Sequence, residues 1–312
     1  MTKFLIRIGI ATAIAAALHL SAALLADGTF DPFYLRFTTP ARPSLIIGTS
    51  RAAQGIVPSE LKSVIADLGF QGPMLNFAFT LLHSPYGPVY FDAVKEKLAP
   101  DTRNGLFIAM VDPFPLSTPS PTPNDPATFR EAKSRLSRMK GSINGTHPNL
   151  SYFFGLTHGW GAILTSRLDY LRHPRKRLHA DGWLEITVPH DPKNTRIRFK
   201  RKLADFKKNA TQFRPSAARR EYFEKTVCLL TKHGTVFIVR MPAWKQLITI
   251  ENQLMPDFDE FIQGVSNRCG APFEDFSGDG KKYEFTDGSH LYKTGARAFT
   301  RDLAARIRSL SR

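Results

Sequence analysis

Short apolar runs alternate along the chain with segments in which apolar residues recur every three or four positions. The run 45–48 is typical of a buried strand, and the apolar spacing over 59–68 predicts a helix that ends at Gly69. The same patterns predict further strands over 73–79, 106–111, 235–241 and 272–276, and further helices over 90–98, 222–232, 258–268 and 294–307. Strands that alternate with helices indicate an α/β domain with a mainly parallel sheet.

The middle of the chain departs from this alternation. A Pro-rich stretch over 113–126 breaks the pattern, and we interpret 113–231 as a large insertion in a domain that spans 28–312. Residues 130–225 hold 22 of the 43 Lys and Arg residues but only 8 of the 27 acidic ones, so most of the formal net charge of +16 lies there. A solvated surface is one explanation of such a charge run. The other is an anionic partner, either lipid or an acidic cell-surface polymer.

Composition excludes several classes of protein. With 42% apolar and 11% aromatic residues in 312, the chain is too apolar to be mainly disordered and long enough to bury a core. Cys228 and Cys269 are too few for a disulfide-stapled miniprotein or a cysteine-based zinc module, and the sequence does not decide whether they pair. The spacing of His147, His158, His173 and His179 suggests no metal site, and we expect no cofactor. Without zinc-finger spacing or an RNA-binding aromatic motif, we expect no nucleic-acid partner.

The N-terminal segment 1–27 predicts export of the rest of the chain. Lys3 and Arg7 precede an apolar stretch over 8–26, whose nineteen residues come close to spanning a membrane, and Asp27 follows it. The positive-inside rule then leaves the N-terminus in the cytoplasm. We favour a single-pass anchor in the cytoplasmic (inner) membrane, with the main domain in the periplasm or at the cell exterior. One alternative is a cleavable signal peptide. Another is a buried helix of a soluble protein, which the polar residue His19 within the span keeps open.

Two short motifs, far apart in the chain, suggest nucleophilic catalysis. Gly48-Thr49-Ser50 directly follows the first strand, and parallel α/β sheets bind ligands beyond the carboxyl ends of their strands. Near the other terminus stands Asp287-Gly288-Ser289-His290, in which the i, i+3 spacing lets Asp287 hold the His290 ring. His290 would then take the proton from Ser50. A solvated loop that caps the last helix is the structural alternative for the second motif.

Together the motifs resemble the SGNH (GDSL-like) hydrolase superfamily. The stretch Phe285-Thr286-Asp287-Gly288-Ser289-His290-Leu291 carries the more specific part of the likeness, which covers residues 43–112 and 232–310. The resemblance implies a three-layer α/β fold and a catalytic set of Ser50, Asp287 and His290. The N-terminal anchor and the large insertion are similar to those of exported proteins in O-acylation of cell-surface polymers, such as the alginate O-acetylation and lipoteichoic-acid D-alanylation proteins. That branch implies a membrane-bound O-acyltransferase as a possible partner.

The chain departs from the family pattern where the oxyanion would bind. Gly-Thr-Ser replaces the usual Gly-Asp-Ser, Ala78 stands where a glycine is expected, and Asp112 follows the third strand in place of the usual Gly-x-Asn-Asp ending. Beside the Ser50 amide, the remaining candidates for oxyanion donors or substrate contacts are Asn76, Thr80, His83, Tyr86 and Arg240.

Two functions fit these residues. The first is extracytoplasmic, serine-dependent acyl transfer or ester hydrolysis on a cell-surface polysaccharide or polymer. The second is a non-catalytic SGNH-like domain that binds polymer or docks on a membrane-bound O-acyltransferase. A complete Ser/His/Asp set favours the enzyme, and the altered third motif favours the binding module.

Overall fold

The computed structural model describes residues 1–27, 29, 33–78, 84–119, 121–133, 145–150, 152, 161–172 and 174–311. The α-helices in these ranges are α1 (Thr2–Leu24), α2 (Tyr34–Thr38), α3 (Ser50–Gly55), α4 (Pro58–Ile65), α5 (Pro88–Lys97), α6 (Gly161–Arg172), α7 (Pro192–Gln212), α8 (Ala217–Leu230), α9 (Lys245–Leu254), α10 (Phe258–Cys269) and α11 (Lys293–Leu310). The strands are β1 (Ser44–Ile47), β2 (Met74–Asn76), β3 (Gly105–Met110), β4 (Ser117–Thr118), β5 (Lys176–Leu178), β6 (Leu184–Ile186), β7 (Arg214–Pro215), β8 (Gly234–Arg240) and β9 (Phe273–Asp275).

The central sheet is parallel and has the strand order β2-β1-β3-β8-β9. β3 lies at its centre, paired through Ile108 with Ile46 of β1 and with Phe237 of β8. This is a doubly wound order, in which the strands on either side of β1 and β3 are reached by helical crossovers. The carboxyl ends of β1, β3 and β8 therefore open on the same edge of the sheet.

Both faces of the sheet are covered, because successive residues of its strands point to opposite sides. Phe107 and Ala109 of β3 belong to one apolar cluster, which α5, α8 and α10 complete. Leu106 and Ile108 belong to the other, which α3, α4 and α11 complete. The predicted fold class, an α/β domain with a mainly parallel sheet between helical layers, is thus confirmed and is consistent with an SGNH-like fold.

Each predicted strand and helix of the α/β pattern has a counterpart, with bounds that differ by a few residues. The second predicted strand is shorter than expected, ending at Asn76, and its last predicted residue, Phe79, lies outside the described residues. Five of the α-helices in the described ranges have no counterpart among the predictions: α2, α3, α6, α7 and α9. α3 has only six residues and begins at the proposed nucleophile.

The basic stretch of the chain adds elements around the carboxyl edge of the sheet. β5 and β6 form an antiparallel hairpin, β4 pairs with β7, and the 21-residue α7 packs against α9. The last helix of the stretch, α8, instead packs on the sheet, where Phe223, Val227 and Leu230 are fully buried. Part of 113–231 therefore builds the domain core.

Helix α1 is long and apolar enough to cross a membrane, a property that signal sequences share. Its apolar side chains are exposed, which contradicts the alternative of a buried soluble helix. In the described part of the chain, the C-terminal end of α1 meets the domain, where Ala23 and the following Ala26 are buried in the cluster that contains Tyr34 and Tyr152. The anchor and the signal peptide both stay compatible with this arrangement.

A disulfide joins two of the helices that cover one face of the sheet. Cys228, in α8, is bonded to Cys269, the last residue of α10, and their Cα atoms lie 4.9 Å apart. The bond answers the question that the sequence left open about these two residues.

Candidate active site

Ser50 stands at the turn between β1 and α3. Gly48, just before it, has φ = +148°, and a Cβ at this position would lie 2.8 Å from the Cβ of Met110 in β3, so only glycine lets the chain pass. The Thr49 hydroxyl accepts a hydrogen bond from the Arg51 amide and caps α3. Ser50 is therefore the first residue of a helix and is held at the carboxyl edge of the sheet.

His290 and Asp287 reach Ser50 from the loop before α11. Ser50 Oγ lies 2.9 Å from His290 Nε2, and His290 Nδ1 lies 2.9 Å from Asp287 Oδ2. The other carboxylate oxygen of Asp287 accepts backbone hydrogen bonds from Ser289 at 3.0 Å and from His290 at 2.8 Å. The loop is thus tied to the carboxylate that orients the imidazole. The structure brings together the three residues that the two motifs singled out.

The carboxylate of Asp287 is kept ionised by its neighbours. Burial alone would raise its pKa, but the charge and hydrogen bond of His290 and the charge of Lys202 outweigh burial and hold the pKa well below its usual range. Lys202 Nζ lies 3.5 Å from Asp287 Oδ2. An ionised carboxylate at this position favours the charged form of the imidazole during proton transfer.

Helix α7 packs against the loop that carries Asp287 and bonds to it. Arg198 donates to the Thr286 carbonyl at 2.7 Å, and Lys202 pairs with Asp287 one turn further along the helix. Between them, Phe199 lies against Gly288, where φ is +78° and a Cβ would come within 2.7 Å of the phenyl ring. The basic helix is therefore part of the scaffold of the site, through contacts with three successive residues of the loop.

A pocket of about 370 Å³ opens over Ser50 and His290. Its apolar wall is formed by Phe114, Phe206 and Phe213. The ring centroid of Phe114 lies 4.9 Å from that of Phe206 and 5.6 Å from that of Phe213. The polar residues that line it include Thr49, Ser84, Asp112, Lys202, Asn209 and Ser289. Phe206 and Phe213 come from α7 and the residue after it, so the basic stretch also supplies a wall of the pocket.

A buried ion network lies behind Ser50. The guanidinium of Arg51 pairs with Asp112 at 3.1 Å and with Glu251 at 2.9 Å, and it donates to the Met241 carbonyl at 2.9 Å. Burial raises the pKa of Glu251 to about 7, although Arg51 and Arg240 act to lower it. The network joins the ends of β1, β3 and β8 to α9, and so fixes the residue next to the nucleophile.

The structure gives three of the predicted oxyanion or substrate residues other roles. The side-chain amide of buried Asn76 donates to the Ala52 carbonyl at 2.9 Å and to the Ile56 carbonyl at 2.8 Å, so both of its hydrogens are used in holding α3. Tyr86 is fully buried and donates to the Met110 carbonyl. Arg240 is buried and bonded to Asn252 at 2.6 Å. Each of these three side chains thus satisfies polar groups of the scaffold, and an oxyanion or substrate contact for it stays a prediction.

The other two candidates, Thr80 and His83, lie outside the described residues. The neighbouring Ala78 amide, which the family pattern suggests as an oxyanion donor, is within 3.1 Å of the Asn76 side-chain oxygen and donates to it. Ser84, just after the undescribed segment, does line the pocket.

Sequence reasoning missed Lys202, Arg198 and Phe206, although a signal was present. Asp191 followed by Pro192 is a strong start for a helix, and Asp191 does cap α7 by accepting from the Asn194 amide at 2.9 Å. Phe199, Leu203 and Phe206 then recur at the spacing of one helix face. The many charges of the segment concealed this pattern.

Within the described ranges, no group of three or more His, Cys, Asp or Glu residues is placed to hold a metal ion.

Comparison with solved structures gives distant similarities, among them to two proteins described as esterases. No protein-family model matches the chain, and no curated protein matches it significantly. A carbohydrate acetylesterase family member from Sinorhizobium meliloti is 12% identical, with a TM-score of 0.34, over 86% of this chain and 99% of its own. The inhibitor-bound aryl esterase of M. smegmatis is 13% identical, with a TM-score of 0.32 and the same coverage. Similarities at this level carry no argument about function, which has to be inferred from the site.

Proposed function

We propose that the protein is a serine-dependent esterase or acyltransferase. The observation that carries the proposal is the pair of 2.9 Å distances that connect Ser50 Oγ through His290 to Asp287, at the floor of a pocket. This order of nucleophile, base and orienting carboxylate is the arrangement that activates a hydroxyl for attack on an acyl group.

In the proposed reaction, Ser50 Oγ attacks the carbonyl carbon of an ester while its proton passes to His290 Nε2. Asp287 accepts the hydrogen bond from Nδ1–H and stabilises the imidazolium. The tetrahedral intermediate collapses, the C–O bond to the leaving alcohol breaks, and His290 returns the proton to that alcohol. Water or a sugar hydroxyl then attacks the acyl-serine, with His290 acting again as base and then as acid, and Ser50 is released.

The Ser50 amide is the donor that we assign to the oxyanion. Ser50 follows the cap residue of α3, and the first amides of a helix have no partner within that helix. The side-chain amide of Asn76 is already used within the scaffold. Asp112 stands where the family pattern has a donor, but it is an acceptor, which receives hydrogen bonds from Arg51 and the Phe114 amide. A site with few donors for the oxyanion is expected to be slow with simple esters.

The choice between water and a sugar hydroxyl depends on how dry the pocket is. The ring cluster of Phe114, Phe206 and Phe213 shields one side of it, which favours an acyl-enzyme that lives long enough to meet a second hydroxyl. We therefore propose acyl transfer to a cell-surface polysaccharide or polymer as the finer function, with ester hydrolysis as its side reaction. A membrane-bound O-acyltransferase is the proposed source of acyl groups.

An extracytoplasmic location is part of the proposal. It is supported by the positive flank of α1 on its N-terminal side and by the Cys228–Cys269 disulfide, since structural disulfides are typical of oxidising compartments. The exposed basic face of α7, with Lys193, Arg196 and Lys200, suits an anionic polymer.

Hydrolysis of a soluble aryl acetate by the full chain in detergent tests the proposal. We expect Ser50→Ala to abolish turnover while leaving the unfolding temperature unchanged. Ser63→Ala, in an exposed position on α4, is the matched control and should keep full activity. Equal turnover by wild type and Ser50→Ala would contradict the assignment. Absence of turnover in a folded wild type that still binds anionic polymer would favour the binding module.

A further inference from the structure

Helix α6 carries a stripe of apolar side chains that are exposed in the described part of the chain. Leu164, Leu168 and Leu171 are 46%, 54% and 72% exposed. Their i, i+4, i+7 spacing places them along one line of the helix surface. Ile163, which lies about 100° around the helix from the stripe, is buried in the core cluster and attaches α6 to the domain. A soluble domain gains nothing from three aligned, exposed leucines, so their surface points to something outside the chain.

The position of this stripe relative to α1 suggests what it meets. Arg167 Nη1 donates to the carbonyl of Leu25, immediately after α1, at 3.3 Å, and α6 contacts α1 directly. Leu24 and Leu25 are themselves 51% and 41% exposed, so the apolar surface of the membrane-length helix continues onto α6. If α1 spans a bilayer, α6 lies at the level where the helix leaves it.

The charges that follow the stripe in the chain are basic. Arg172 ends α6, and the exposed residues Arg175, Lys176 and Arg177 follow. A groove of about 360 Å³ beside the helix is lined by Arg167, Tyr170, Leu171 and Arg177, together with Asp27 and other residues. Leucines on one line of a helix, flanked by Arg and Lys, are the pattern of helices that lie in the interface of anionic membranes.

We propose that α6 is an interfacial helix, which inserts Leu164, Leu168 and Leu171 among the acyl chains and sets Arg172, Arg175, Lys176 and Arg177 against anionic phospholipid headgroups. The occupant of this surface is thus the membrane that holds α1, and the inference rests on the proposed anchorage. Two points of attachment, α1 and α6, fix how the domain stands on the bilayer. A single helix followed by a flexible segment would leave the orientation of the pocket free.

The test uses the full chain reconstituted in vesicles, with an environment-sensitive NBD label on an introduced cysteine. The two native cysteines are bonded to each other and do not react. Leu168→Cys places the label in the stripe, and Asp169→Cys, exposed on another side of the same helix, is the matched control. In vesicles of phosphatidylcholine and phosphatidylglycerol that contain shallow doxyl-labelled lipid, we expect quenching at position 168 to exceed that at 169 several-fold. Leu164→Cys should behave like Leu168→Cys, which guards against misfolding of one variant.

Other results overturn the proposal. Equal, weak quenching at 168 and 169 would mean that α6 stands clear of the membrane. A blue shift at 168 that doxyl lipid does not quench, and that grows with protein density, would mean that a second copy of the chain covers the stripe. Replacing Arg175, Lys176 and Arg177 with Gln, or omitting phosphatidylglycerol, should reduce the quenching at 168, and no reduction would contradict the role of anionic lipid. Ser50→Ala should dock normally, so docking and the proposed chemistry can fail separately.

Discussion

Lys202 Nζ, on the basic helix α7, lies 3.5 Å from the Oδ2 atom of Asp287, the carboxylate that orients His290. One residue of the basic stretch, Lys202, therefore contacts the proposed catalytic residues directly. The sequence suggests an almost neutral core with its charge set apart in an insertion. In the structure, that stretch supplies Arg198 and Lys202 to the Asp287 loop and Phe206 to the pocket wall.

Lys202→Met tests this coupling. Removal of the ammonium takes away one of the charges that hold the pKa of Asp287 down, so that pKa should rise. We expect kcat/KM for ester hydrolysis to fall about fivefold, which corresponds to about 1 kcal/mol for a partly buried ion pair. Lys200→Met, at an exposed position on the same helix, should retain wild-type kinetics. Identical kinetics of the two variants would show that α7 adds charge but does not tune the site.

Asp287→Asn separates the charge of the carboxylate from its role in the loop. The amide oxygen can still accept the backbone hydrogen bonds of Ser289 and His290, so the fold of the loop should survive. The Asn side chain carries no charge and cannot stabilise the imidazolium of His290 as the carboxylate does. We therefore expect kcat to fall by about 10³–10⁴-fold. Asp205→Asn, exposed on α7, serves as the control. A loss below tenfold in a folded variant would remove Asp287 from the proposed catalytic set.

Lys97 gives a pH dependence that is independent of the active site. Its side chain is buried and donates to the Thr39 carbonyl, and burial, together with Arg42, lowers its pKa to about 7 from the usual 10.5. Between these values the unfolded chain binds more protons than the folded one. The free energy of unfolding should thus rise with pH in this window, by at most about 1.4 kcal/mol per pH unit. Below the folded pKa this contribution is constant.

Chemical unfolding of wild type and Lys97→Met at about pH 7 and about pH 9 measures that contribution. The variant should lack the Lys97 part of the increase, whereas Lys95→Met, half-exposed on the same helix, should retain it. A wild type and a Lys97→Met variant with the same slope would show that the buried amine stays charged.

The Cys228–Cys269 bond is expected to stabilise the helical layer of α8 and α10. It closes a loop with a sequence separation of 41, for which chain entropy predicts about 4 kcal/mol of stabilisation. The double variant Cys228→Ser, Cys269→Ser should lose about that amount in the free energy of unfolding. Its ester hydrolysis should be normal at low temperature, because neither residue lines the pocket. An unchanged unfolding free energy would mean that packing of the two helices alone holds this layer.

The parallel sheet was predictable because its strands are buried on both faces and are therefore apolar runs. β3 (Gly105–Met110) and β8 (Gly234–Arg240) are found within a residue of their predicted bounds for this reason. Helix α7 escaped prediction because it buries little: Phe199 is its buried residue, and the remaining inward side chains are only partly covered. Where a helix owes its position to an ion pair, a hydrogen bond and a few aromatic contacts, apolar periodicity is weak.

The site likewise contains residues whose role could be predicted from the sequence and residues whose role could not. Ser50, Asp287 and His290 could be selected because their chemistry depends on local spacing after a strand and within one turn. Asn76, Tyr86 and Arg240 are polar residues in the right neighbourhood, and nothing in their local sequence distinguishes a donor aimed at the pocket from one bonded to a carbonyl behind it. That distinction depends on partners outside the local sequence, such as Met110 for Tyr86 and Asn252 for Arg240.

The most direct test of the account is covalent labelling of Ser50. A fluorophosphonate reacts with a serine only when a base activates its hydroxyl, so it reports the Ser50–His290 relationship without any knowledge of the natural substrate. Intact-mass and peptide mass spectrometry of the full chain should show one adduct on Ser50, absent in Ser50→Ala and formed far more slowly in His290→Ala. A folded wild-type chain that stays unlabelled, or that is labelled at the same rate without His290, would contradict the proposed nucleophile.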